Sequence, residues 1–247
     1  LHVRSRRQRQ MCIRDSRILY YGPSSSKDLL ATINQYHQVP AALKDIPAGN
    51  EYAYLETPVT KVLVAPYDAK QIYMAQISNL DKKYDPAIEP IRALYDEYFG
   101  GGMNSIVFQE MRETRGLAYS AWASIMPPSY LKYPYVLRTQ IATQNDKMID
   151  AVTTFNDIIN NMPESEAAFK LAKDGLTNRL RTERIIKGDI IWSYINAQDL
   201  GQNVDPRIKL YNDIQNMSLK DIVDFQKQWV KGRTYVYCIL GEKKDVE

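Results

Sequence analysis

"YFGGGMNSIVFQEMRETRGLAYSAWASIM" occupies residues 98–126 and is the least ordinary stretch of the chain. Three consecutive glycines close one apolar segment. A second helix-like segment follows, carrying Arg112, Glu113 and Arg115. Gly116 interrupts it, and a strand-like run begins that contains Tyr119. A triple glycine, an arginine and a tyrosine in this order suit three classes of site: a phosphate cradle, a nucleic-acid surface or a peptide-handling site. A phosphate loop needs either G-x-x-x-x-G-K-[ST] or G-x-G-x-x-G after a strand. Here the glycines follow a helix, and no Lys-Ser/Thr pair comes after them. The local expectation is a helix C-cap, with the glycines left-handed so that the chain can turn into the next helix. Arg112 at a helix end and Tyr119 a few residues into the returning strand can then meet at one edge. That pair offers a rigid fork of donors and a hydroxyl, which suits a peptide carbonyl or carboxylate and a developing oxyanion.

Around this stretch, strand pairs alternate with groups of helices. Strand-like runs lie at 17–22, 60–66, 70–78, 116–126, 133–143 and 233–241. Residues 67–69 form a hairpin-length break between the second and third. Helical spacing of apolar residues covers 87–100, 104–114, 145–162 and 164–185, with Gly175 a weak point in the last. A further helix is expected near 189–200. Ser25 with Asp28 and Ser218 with Asp221 mark helix starts. The order predicts an α+β fold, with a mostly antiparallel or mixed sheet and helices packed on one face. A doubly wound sheet fits less well, because strands arrive in pairs. Trp122, Trp192 and Trp229 read as core or domain-packing residues.

The bulk properties narrow the function classes. The chain has 247 residues, 45% hydrophobic and 25% charged, an ordinary globular composition. No apolar run reaches the roughly 18–20 residues needed to span a bilayer. Residues 1–16 contain Arg4, Arg6, Arg7, Arg9 and Arg14 against Asp15, more positive charge than the whole chain's net +3, so the remainder is slightly acidic. That segment has no periodicity and no apolar h-region, and it resembles translated adapter sequence. It is expected to be a non-native or disordered tail, leaving residues 17–247 as the domain. A nucleic-acid role would rest on it alone. The histidines are His2 and His37, and the cysteines are Cys12 and Cys238. A zinc site built on several histidines therefore cannot be written from this chain, and His37 reads as a surface residue.

The central stretch closely resembles the signature of the pitrilysin, or insulinase-like, zinc metallopeptidases, whose second domain carries a pattern like L-G-G-G-x-S-S-R-L-F-Q-E-x-R-E-x-R-G-L-A-Y-S. The matching residues are Gly100, Gly101, Gly102, Met103, Ser105, Phe108, Gln109, Glu110, Arg112, Glu113, Arg115, Gly116, Leu117, Ala118, Tyr119 and Ser120. Asn104 and Ile106–Val107 depart from it, replacing an arginine with an apolar residue. A looser likeness spans about 17–247. The resemblance implies a processing-peptidase type of fold and a place in the non-metal-binding C-terminal domain. It implies that the catalytic zinc sits elsewhere, on an H-x-x-E-H motif of a separate N-terminal half or partner subunit, and that this chain holds no cofactor and is inactive alone. It further implies that Arg112 binds a substrate carbonyl and Tyr119 donates a hydrogen bond near the scissile carbonyl. Glu110, Glu113 and Arg115 are expected in ion pairs. The expected partners are a peptide substrate and the zinc-bearing half. The alternative is a catalytically inactive scaffold or partner subunit. Family habit points to a bacterial envelope location.

Overall fold

Backbone pairing gathers the strand-like segments into a five-stranded mixed sheet in the computed structural model, which describes residues 18–37, 54–68 and 70–242. The elements are α1 (Ser26–Tyr36), β1 (Lys61–Pro66), β2 (Ile72–Lys83), α2 (Glu89–Phe99), α3 (Ile106–Phe108), a π-helical turn (Gln109–Thr114), β3 (Ser120–Met126) and β4 (Pro134–Thr143). After a 3-10 turn (Asn145–Lys147) come α4 (Met148–Asn160), α5 (Glu166–Thr182), α6 (Gly188–Asp199), α7 (Pro206–Ile214), α8 (Leu219–Trp229) and β5 (Val236–Gly241). Internal contacts divide the chain into two units, residues 1–52 with 185–195 and residues 53–184 with 196–247. The sequence alone suggests one domain over 17–247. The expected tail at 1–16 lies outside the described residues.

The second unit holds the sheet, in the order β1-β5-β2-β4-β3. β3 and β4 form the expected antiparallel pair, with Ala121 opposite Ile141. The expected hairpin between β1 and β2 does not form. β5 lies between them, parallel to β1 and antiparallel to β2. Strand alternation makes the sheet two-faced. On one side Ile72, Met74, Leu137, Ile141, Ala123 and Ile125 are buried. Against them pack Leu94, Tyr95, Tyr98 and Phe99 of α2 and Ile222, Phe225 and Trp229 of α8. Several polar tips of this core are satisfied, as burial favours, whereas the buried Tyr235 hydroxyl finds no hydrogen-bond partner. The Tyr95 hydroxyl donates to Gln226, whose amide donates to the Ile159 carbonyl. Tyr98 donates to the Pro163 carbonyl at 2.8 Å. The other side of the sheet carries the exposed Arg138 over the Trp122 ring.

Several helix starts match their sequence signals. Ser25 accepts from the Asp28 N–H, and Ser218 and Asp221 form the capping box. α5 runs unbroken through Gly175. Four local expectations fail. Residues 18–21 form no strand, and α7 is an additional helix, begun by Asp205 as cap and Pro206 in the first turn. Residues 109–114 adopt a π-helix rather than a continuous α-helix. Trp192 is exposed, in the first unit, whereas Trp229 is buried.

Candidate functional site

The glycine run acts through space and not through handedness. Gly100 has a φ of −143°, and the positive-φ glycines among the described residues are Gly116, Gly201 and Gly232. A Cβ on Gly100 would lie 2.3 Å from the Ala123 carbonyl oxygen, and one on Gly101 would lie 2.8 Å from the Asp96 carbonyl oxygen. A Cβ on Gly102 would meet nothing within 4 Å. The end of α2 is thus pressed onto β3, and the expectation of left-handed glycines is corrected.

Side chains lock the same junction. Asp96 accepts from the Ile125 N–H at 2.8 Å, the Ser124 hydroxyl at 2.9 Å and Arg92 at 2.8 Å. Arg92 also reaches Glu89 at 2.8 Å and the Ile125 carbonyl at 3.1 Å. Burial pushes the Asp96 carboxyl up to about 6, against the opposing pull of Arg92 and the two hydrogen bonds from β3.

Beyond the glycines, Ser105 caps α3 by accepting from the Phe108 N–H. The chain then widens into the π-helical turn, a feature found often at functional sites. Met111 is buried, and its carbonyl accepts from both Leu117 and Ala118 N–H groups, at 2.8 and 3.2 Å. The reversal at Gly116 needs a φ of +58°, a conformation costly for residues with a Cβ. Thr143 donates to the Leu117 carbonyl at 2.6 Å, and Lys147 donates to the Gly116 carbonyl at 3.1 Å. The Tyr119 N–H donates to the Ala142 carbonyl at 2.9 Å and starts β3.

This path brings the two predicted side chains together. The Arg112 guanidinium carbon lies 5.3 Å from the centre of the Tyr119 ring and 5.1 Å from that of Phe108. Tyr119 is 69% exposed and the Arg112 side chain 43%. Glu113 approaches the Arg112 Nε only to 3.6 Å, and Arg115 pairs with Glu110 at 3.2 Å. Both site residues line an open cleft of about 280 Å³ with Gln71, Thr143, Gln144 and Lys147. Sequence reasoning missed these last four. They lie on a loop before β2 and at the β4–α4 corner, and no short-range pattern ties them to Arg112. His37 is exposed and caps the end of α1 in the first unit. Among the described residues no three His, Cys, Asp or Glu side chains converge to hold a metal, so the zinc implied by the resemblance finds no fitting ligand set there. No described helix is long and apolar enough to cross a membrane.

A mixed sheet layered with helices on one face, with Arg112 and Tyr119 exposed at one cleft, defines an α+β domain of the kind the signature stretch implies. The pattern of the peptidase M16 inactive domain matches residues 17–176, and the chain belongs to that family. A curated relative from Helicobacter pylori, the non-peptidase homolog YmxG, is 27% identical over 216 residues, covering 82% of this chain and 48% of that protein. The crystal structure of a peptidase M16 inactive domain from Pseudomonas fluorescens shares the fold with a TM-score of 0.66 at 17% identity, covering 89% of this chain and 52% of that one. A protease from Helicobacter pylori is similar at a TM-score of 0.66 and 11% identity, over 88% of this chain and 53% of that one. The chain therefore spans about half the length of the relatives it matches.

Proposed function

We propose that this chain is the substrate-handling, non-metal domain of a peptidase-like protein, enclosing a peptide against a separate zinc-bearing half. The observation that supports the reading is the pairing of a guanidinium and a phenol 5.3 Å apart, both exposed at one cleft. Arg112 lies within cation–π range of two aromatic rings, which reduces the side-chain freedom to be lost when its fork meets a substrate carbonyl. The Tyr119 hydroxyl supplies one donor near the carbonyl that gains charge as the peptide bond is attacked. The zinc-bearing half supplies the water-activating chemistry.

The test uses the full-length protein and a peptide substrate. Tyr119→Phe is expected to lower kcat by about 10–1,000-fold, the scale for loss of one oxyanion donor. Arg112→Ala is expected to raise KM. Unchanged kcat and KM in both variants would remove the active-site role.

A second reading, an inactive scaffold that binds peptides, is favoured by the name of the 27% identical relative, a non-peptidase homolog. Arg112-dependent peptide binding by a full-length protein that hydrolyses nothing would select it.

A further inference from the structure

The charge around the cleft goes beyond what a neutral peptide carbonyl requires. Arg112 and Lys147 are the charged side chains that line it, and no acidic residue lines it with them. Each cation has unused donor capacity. Lys147 is half-buried and spends one of its three N–H donors on the Gly116 carbonyl. The acidic contact of Arg112 is made by Nε at the side of the fork, and 3.6 Å is too long for a hydrogen bond. The Phe108 and Tyr119 rings, within cation–π range, meanwhile restrict the fork. The Gln71 and Gln144 amides add neutral donors. Gln144 and Lys147 also lie just before α4, whose N-terminal dipole end adds positive potential.

A fork that can bind in two-pronged fashion, a second ammonium and no acid in the cleft lining, with Glu113 only loosely beside Arg112, match a carboxylate better than a carbonyl. We propose that this cleft is a carboxylate subsite, with Arg112 and Lys147 as its two cations and an acidic group of a peptide as its ligand. The proposal rests on the peptide-handling reading above. The carboxylate comes either from an Asp or Glu side chain or from the chain's own C-terminus. Lys147 also fixes the Gly116 turn through its hydrogen bond, so it couples occupancy of the subsite to the turn that presents Tyr119.

The experiment is an amide NMR titration of the 247-residue chain, following Gly116 and Tyr119. The probes are short acetylated peptides in matched pairs: free C-terminus against C-terminal amide, and internal Glu against Gln in the amidated form. At least one carboxylate form is expected to bind about tenfold or more tightly than its neutral partner, as charge-assisted hydrogen bonds predict. The pair that shows the difference identifies the source. Lys147→Met is expected to bring that ratio close to one, and Lys147→Arg to restore it. Equal binding within both pairs would overturn the subsite and leave peptide handling intact. A ratio that survives Lys147→Met would remove Lys147 from it. Equal or tighter binding of inorganic phosphate at the same amides would also overturn it. Absence of any peptide-induced shift would overturn the peptide-handling reading as well.

Discussion

Arg92 and Arg112 stand at opposite ends of the glycine-hinged segment, and their surroundings differ in kind. Arg92 keeps 13% of its side chain exposed and is held by Glu89, Asp96 and the Ile125 carbonyl. Its donors are committed to pinning α2 onto β3. Arg112 keeps 43% exposed, rests on two rings and has one loose carboxylate beside it. The glycines follow the same division. Gly100 is pressed against the backbone of β3, whereas Gly116 turns in open space, with nothing within 4 Å of where its Cβ would be. One motif thus contains a locked end with its donors committed and an open end whose donors stay exposed. An arginine whose hydrogen-bonding capacity is filled by its own protein is structural. One that rests beside two rings with donors still unfilled is what the proposed binding role requires.

The largest test of this contrast is Arg92→Met. It leaves two half-buried carboxylates without their cation and is expected to cost about 3–5 kcal/mol of unfolding free energy in urea titrations. Arg112→Met is expected to cost no more than about 1 kcal/mol, since an exposed ion pair contributes little. Equal losses would erase the distinction between the two ends.

Next in size is the glycine run. Gly100→Ala forces a methyl into the Ala123 backbone and is expected to destabilise by about 1–3 kcal/mol, as overpacking does. Gly102→Ala enters open space and should leave the denaturation midpoint nearly unchanged. A tolerated Gly100→Ala would mean that α2 does not need its close approach to β3.

The smallest effect is a pH dependence that belongs to the locked end alone. The folded protein holds the Asp96 proton more tightly than the unfolded chain does, with the carboxyl raised from 3.8 to about 6. This group therefore stabilises most at low pH, and its contribution falls as pH rises from near 4 through 6. Asp96→Asn is expected to flatten that slope in thermal melts taken across this range. An unchanged slope would locate the titration elsewhere.

Much of this molecule was legible residue by residue. The capping residues Ser25 and Ser218, the apolar stripe of α4 and the β3–β4 pair all depend on neighbours within a few positions or across one short loop. α7 was missed, although Asp205 followed by Pro206, an N-cap and a first-turn proline, carried its signal. The spacing of Arg112 and Tyr119 around Gly116 pointed to their meeting. Lys147 and Gln71 were not legible, because nothing near them in the chain refers to Arg112. The widening of the helix at 109–114 was equally hidden, since Met111 is placed by the core rather than by helical propensity.

The sequence by itself determined which segments are helices and strands over most of the chain, their α+β order and the family to which the chain belongs. These follow from periodicity, caps and a signature contained in one continuous stretch. Tertiary structure alone decided that β5 separates β1 from β2, that the triple glycine serves close approach, and which side chains share the cleft with Arg112 and Tyr119. In β1 and β5 Lys61 pairs with Val236, and since every residue of β1 is exposed, this choice between partners so distant in sequence is carried by the backbone hydrogen bonds the pairing satisfies.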